Sequence, residues 1–152
     1  MASEHIYKQY DADLQSIRAK VLEMGTIVEE QLSEAVQSLI EADTKLAEKV
    51  IRRDEEVNDL EIDIDEDCSL LIGKRSPVAA DLRNVLMMIK IISDLERIGD
   101  ESTKIANATI RIIENDIMSK PQFKNIQSML SSVQLMLRQA LNSFARLDTT
   151  ET

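Results

Sequence analysis

Apolar positions recur every third or fourth residue along most of the chain. Tyr10, Leu14, Ile17, Val21, Met24, Val28, Leu32, Ala35 and Leu39 keep this step throughout the first stretch. A helix is therefore expected from about Tyr7 or Asp11 to Ala42. At about 1.5 Å per residue, roughly 30 residues form a rod of about 45 Å, which needs partners along its whole length. Asp43 reads as a stop and Thr44 as the N-cap of the next helix. That second helix carries Leu46, Val50, Val57, Leu60, Ile64, Cys68 and Leu71 on one stripe, and Gly73 is its expected C-terminal signal. Ser76-Pro77 restarts the chain, with Ser as cap and Pro at the first helical position. A third helix is expected from Pro77 to about Glu114 or Asp116. A fourth follows Lys120-Pro121, with Phe123, Ile126, Leu130, Val133, Leu137, Ala140, Leu141 and Phe144 as its face.

The third helix has an unusual pattern. Leu82, Val85, Leu86 and Ile89 begin an apolar face, and residues 85–92 are apolar except for Lys90, as if buried nearly all round. Farther on, the apolar stripe shifts to Ile91, Leu95, Ile98, Ile105, Thr109 and Ile112. The first face continues as Ser93, Glu96, Asp100, Thr103 and Asn107. The sequence thus reads as a core-facing stripe that turns polar halfway along. Residues 34–44 also resemble residues 139–149, a weak internal repeat that suggests one full helical unit and the first helix of a second.

Composition narrows the fold class. With Gly 3 and Pro 2 there is little punctuation for strands and hairpins. Hydrophobic residues make up 43%, with only Phe 2 and Tyr 2 among them, so the core is aliphatic and suits helix-on-helix packing. The net charge of -10 opposes binding to nucleic acid and to anionic membrane surfaces, and favours cations and basic protein surfaces. The single cysteine, Cys68, allows no internal disulfide and fits a reducing compartment. Residues 1–13 are polar and no apolar run reaches membrane-spanning length, so the expected location is the cytoplasm.

Residues four apart share a helix face. Glu61 with Asp65 is one such acidic pair, and Glu96 with Asp100 is another; Asp54 and Asn58 lie on the same flank as the first pair. Acids at this spacing repel by about 0.2–0.5 kcal/mol on an exposed helix. A cation between two such helices reverses the sign, and four carboxylates on facing helices make an oxygen-rich cage. The ordinary reading of such a pair is a solvated face, with Arg97, Lys104 and Glu101 supplying intrahelical ion pairs. Two features favour the cation. The run from Asp54 to Asp67 is heavily acidic with no Lys or Arg until Lys74, and Glu96 and Asp100 continue a core face.

Other chemistry is thinly represented. His5 is the one histidine and lies near the N-terminus, so Glu-x-x-His pairs of di-iron bundles cannot form. Cys68 sits on an apolar stripe with no base nearby in sequence. There is no glycine-rich phosphate loop, and the Met 7 at helical spacing read as core. No nucleophile–base pair is visible, so no enzymatic activity is expected.

The segment Ser93-Asp94-Leu95-Glu96-Arg97-Ile98-Gly99-Asp100, preceded by Pro77-Val78-Ala79-Ala80-Asp81-Leu82-Arg83, resembles the signature of the PhoU family. Leu14-Gln15-Ser16-Ile17-Arg18, Met24-Gly25, Val28-Glu29-Glu30-Gln31-Leu32, Val57-Asn58-Asp59-Leu60-Glu61 and Ile64-Asp65-Glu66 are similar to other family segments in order and spacing. The resemblance implies a cytoplasmic, all-helical protein of tandem three-helix bundles, commonly dimeric. It implies E(D)xxxD metal motifs, which fall here on Glu61 with Asp65 and on Glu96 with Asp100. Carboxylate sites of this kind take Fe, Mn, Mg or Zn. Asn58 stands where many members have an acid, which lowers the charge of the site.

The resemblance further implies a regulator that links a phosphate ABC transporter to a sensor histidine kinase and represses phosphate-starvation genes. Arg83 and Arg97, inside the signature segments, become candidate contacts for the transporter ATPase subunit and the kinase. The rival reading is a metal-binding or metal-buffering bundle with no adaptor role; a plain helical oligomerisation module is the third. The expected architecture is all-α: a long antiparallel three-helix bundle over residues 1–118, and a partial second repeat of one helix over 119–152. Family chains run longer, so the chain is expected to end inside the second bundle, without a second pair of metal motifs. The lone fourth helix is expected to expose Ile126, Leu130, Val133, Leu137 and Phe144, and to pack on the first bundle or on a second copy.

Overall fold

The computed structural model describes residues 2–75, 77, 79–115 and 123–147, with the backbone alone at 2–7, 123–125 and 147. Four α-helices follow in order: α1 (Ala2–Glu41), α2 (Thr44–Arg75), α3 (Ala79–Glu114) and α4 (Phe123–Leu147). No strand occurs among the described residues. The first three helices pack pairwise into an antiparallel bundle, and α4 lies against α1.

The α1 stripe is buried as its spacing dictates, from Tyr10 through Val28 to Ala35, and only Leu39 is half-exposed. Steps of three and four close a seven-residue repeat, which keeps one seam facing the partner helices. Continuing Tyr10, Ile17 and Met24 by sevens leads to Gln31 and Ser38, so the seam carries two polar residues, both fully buried. In α2, Val50, Val57, Ile64 and Leu71 repeat by seven on the buried side, joined by Ala47 and Cys68.

The α1–α2 junction is tighter than its sequence suggests. Ala42 turns the chain with a φ of 53°, a left-handed conformation unusual for a residue with a Cβ. The Asp43 N–H then donates to the Ser38 carbonyl at 2.9 Å, which closes α1 in the manner of a Schellman turn. Asp43, rather than Thr44, caps α2: its carboxylate accepts the Leu46 N–H at 3.0 Å. Thr44 is the first helical residue. Gly73 does not end α2, which runs on to Arg75, where Lys74 and Arg75 suit the negative end of the helix dipole. The expected cap Ser76 lies outside the described residues.

The buried side of α3 differs from the expected stripes. It runs through Val85, Met88, Ile92, Leu95, Gly99, Ser102, Ala106 and Thr109. Leu86 is 51% exposed, so the helix is not buried all round. Past Leu95 the core position passes to small residues instead of acids. Ala35, Ala47, Val50 and Ala106 form a separate core of small side chains at this end, and close helix approach replaces bulk. Buried hydroxyls are satisfied locally: Ser102 donates to the Ile98 carbonyl, Thr109 to that of Ile105, and Ser38 to that of Ala35. Glu96 and Asp100 therefore sit on a half-buried flank of α3, beside the core instead of in it.

Helix α4 runs antiparallel to α1. Leu141 meets Gly25, the Arg18 guanidinium stacks over Phe144 at 5.8 Å, and Arg138 pairs with Glu29 at 2.6 Å. Leu137 and Phe144 are buried by this contact, which corrects part of the exposed stripe expected for α4. The apolar surface that does remain outward is Met129, Val133, Leu135 and Met136. Because α4 leans on α1 alone, an apolar groove of about 310 Å³ opens between α3 and α4, with Ile91, Leu95 and Ile98 on one wall and Val133 and Met136 on the other.

Candidate functional site: an acidic face between two helices

The acidic pairs of α2 and α3 face each other because both lie beside the core seam where those helices meet. Glu61, Glu96, Asp100 and Asp54 are half-buried, while Asp65 and Asn58 are exposed. Their fields overlap. Burial, then Asp100 across the helix boundary, then Asp65 raise the Glu61 carboxyl above its ordinary range. Glu96 is pushed up to about 7, first by burial, then by a hydrogen bond with Asp100, then by the charges of Asp100, Glu61 and Asp54.

Nearby cations are engaged elsewhere. Arg53 pairs with Glu30 at 2.7 Å and reaches Glu34 at 3.6 Å, Lys49 pairs with Glu34 at 3.0 Å, and Lys20 pairs with Asp67 at 2.7 Å. These pairs lace α1 to α2. Lys104 pairs with Glu101 at 3.0 Å, not with Asp100, and Arg97 points outward without the expected intrahelical ion pair. Among the described residues, no ion pair neutralises Asp54, Glu61, Asp65, Glu96 or Asp100. The solvated, salt-bridged reading of these pairs therefore lacks its counter-ions.

One contributor went unnoticed in the sequence. Gln31 is 0% exposed, and its Nε2 donates to the Val50 carbonyl at 3.2 Å and to Asp54 Oδ1 at 3.3 Å. Its Oε1 is buried and has no hydrogen-bond partner among the described residues. A Cβ added to Gly99 would lie 3.1 Å from that oxygen and 3.3 Å from Asp54 Oδ1. The glycine between Glu96 and Asp100 thus leaves a notch into which two oxygens from α1 and α2 project. The seven-residue step from Met24 to Gln31 was the signal that could have found it.

Every donor here is oxygen, the chemistry that hard cations prefer, and the unmet Gln31 oxygen fits the same class of guest. The side chains as placed do not close a cage. Among the described residues, no three of His, Cys, Asp and Glu converge to ligating distance. The donor set fits a hard cation; binding one would draw Glu61, Glu96 and Asp100 together, exchanging their repulsion for ligation.

Of the other candidate residues, Arg83 is exposed, with its Nε donating to the Ala79 carbonyl at 3.3 Å, and Arg97 is exposed. Cys68 is fully buried, and burial, with help from Asp65 and Asp67, pushes its thiol up to about 11, which suits a core residue rather than a nucleophile. His5 has no described side chain. No helix among the described residues is long and apolar enough to cross a membrane.

Long antiparallel helices with an uncompensated carboxylate face between them define a class of all-helical domain, and comparison with known proteins gives it a family. Residues 21–109 match the PhoU domain. The chain is 42% identical over 146 residues to the phosphate-specific transport system accessory protein PhoU homolog of Pseudomonas putida, covering 96% of this chain and 57% of that one. It is 40% identical over 149 residues to the phosphate-specific transport system accessory protein PhoU of Escherichia coli, covering 98% and 61%. The crystal structure of PhoU from Pseudomonas aeruginosa superposes with a TM-score of 0.86 at 40% identity, over 91% of this chain and 66% of that one. That of the phosphate transport system regulatory protein PhoU from Streptococcus pneumoniae gives 0.78 at 28% identity, over 90% and 63%. The chain belongs to the PhoU family. It spans about three-fifths of the length of the curated relatives it matches.

Proposed function

We propose that this chain serves phosphate uptake as a non-catalytic regulator: an adaptor in the cytoplasm between a phosphate ABC transporter's ATPase subunit and a sensor histidine kinase, holding phosphate-starvation genes down when phosphate is plentiful. The observation that carries the reading is the 40% identity over 98% of the chain to a phosphate-specific transport system accessory protein. The exposed apolar face of α4 and the outward Arg83 and Arg97 on α3 supply surfaces such a role needs. In this reading α4 begins a second helical unit, and the protein works as a homodimer. The test is deletion of the gene, with starvation-gene expression measured at high phosphate, together with capture of the ATPase subunit and the kinase by the purified protein. Unchanged repression and no capture of either partner sink the adaptor.

The acidic face favours a second reading, a metal-binding bundle. Glu61, Asp65, Glu96 and Asp100 would hold Mn, Mg, Fe or Zn, and the ion would supply the positive charge that the face lacks. What supports it is that burial and neighbouring acids raise both carboxyls, Asp100 and Asp65 acting on Glu61 and Asp100, Glu61 and Asp54 acting on Glu96, without a counter-ion among the described residues. Metal content lost in a Glu96→Gln/Asp100→Asn variant, with phosphate regulation intact, assigns the protein to metal buffering.

A further inference from the structure

We infer that Gln31 is a further binding residue of the acidic face: its buried side-chain carbonyl oxygen, beside Asp54 at the Gly99 notch, is a neutral ligand for a hard divalent cation. The inference rests on the cation reading of Glu61, Asp65, Glu96 and Asp100, and extends that site inward to a third helix.

The orientation of the amide is fixed by its partners. Only the NH2 end can donate to the Val50 carbonyl at 3.2 Å and to Asp54 Oδ1 at 3.3 Å, so Oε1 must be the end left over. That oxygen is sealed from solvent and unpartnered among the described residues. Buried polar groups ordinarily find partners, so one left unmet asks for a missing guest. A buried amide in a helix seam can fix register through its hydrogen bonds, as Nε2 does here. Register gives Oε1 nothing to do.

The backbone of α3 marks the place. With no side chain at Gly99, Oε1 and Asp54 Oδ1 both approach within 3.1 and 3.3 Å of where a Cβ would stand. Glu96 precedes that point by one helical turn and Asp100 follows it directly. Hard cations accept amide carbonyl oxygens alongside carboxylates. A neutral donor suits a site whose carboxyls already repel, since it adds a bond without adding charge.

The test is calorimetric titration with Mn2+ of the wild-type protein and of Gln31→Met, Gly99→Ala and Glu96→Gln. Gln31→Met keeps the volume and removes the oxygen; Gly99→Ala fills the notch. The expected result is Mn2+ binding by wild type, weakened about tenfold or more in Gln31→Met and in Gly99→Ala. A second measurement uses the unaltered protein: the Gln31 side-chain carbonyl carbon should shift on saturation with Mg2+, which decides the matter if Gln31→Met does not fold. Binding lost in Glu96→Gln but unchanged in Gln31→Met, or a Gln31 carbonyl carbon that does not move, overturns this inference alone. No Mn2+ or Mg2+ uptake by wild type overturns the cation reading and this inference with it.

Discussion

Leu141 of α4 occupies the space that a side chain on Gly25 of α1 would need: its Cδ1 and Cδ2 atoms both lie 2.7 Å from a Cβ built there. Alanine raises helix stability by about 1 kcal/mol over glycine at an interior position. At Gly25 that gain meets a displaced Leu141. The expected outcome for Gly25→Ala is a melting temperature near that of wild type, with faster tryptic cleavage at Arg138 as α4 loosens. Gly73→Ala is the matched control. Nothing lies within 4 Å of its Cβ position and the backbone is helical, so stability should rise by about 0.5–1 kcal/mol in urea melts.

Stability should fall as pH rises through the acidic face's titration. Glu96 holds its proton up to about 7 in the folded chain, against 4.5 ordinarily. Between those values the folded state binds more protons than the unfolded one, so raising the pH destabilises the fold, and the loss is complete above about 7. Glu61 is shifted in the same direction. Urea melts between pH 5 and 8 should show this slope in metal-free buffer. Glu96→Gln should flatten it and raise stability at neutral pH.

Cys68 should be silent in the native protein. Its thiol is 0% exposed and pushed up to about 11, so thiolate is scarce near neutrality. Alkylation by iodoacetamide at pH 8 should proceed only as fast as the bundle opens, and at the rate of a free thiol in denaturant. Fast labelling of the folded chain would contradict the burial.

The cap of α2 is local and separable. Asp43→Ala removes the acceptor for the Leu46 N–H and should cost about 1 kcal/mol. Thr44→Ala should cost much less, because Thr44 is already inside the helix.

The seams of α1 and α2 could be read from sequence because apolar residues mark most of their steps, from Ile17 to Val28 and, every seventh residue, from Val50 to Leu71. In the far half of α3 the apolar stripe finds Leu95 and Thr109 but not the buried positions between them, for a physical reason. Those are Gly99, Ser102 and Ala106, whose burial depends on how closely helices approach, and the Ser102 hydroxyl, bonded back to its own helix, looks polar in sequence while behaving as core. Asp43 and Thr44 are both good caps, and only the left-handed turn at Ala42 selects the first. The acidic pairs were visible from their spacing. That Glu61 feels Asp100 depends on the register of α2 against α3, which periodicity within each helix does not set. Gln31 was hidden by its neighbour: Leu32 also fits a three-to-four step, and the apolar residue was the natural choice.

The ion pair between Glu29 and Arg138 joins residues 109 positions apart in the chain. Within the three-helix body, packing α1 on α3 already closes 71 positions between Ser38 and Thr109, and seating α4 closes a longer loop still against chain entropy. Without α4, the contacts of Phe144 and Leu137 with α1 would be lost and the strip around Gly25 would lie bare. The chain supplies, in its own fourth helix, the cover for part of its core.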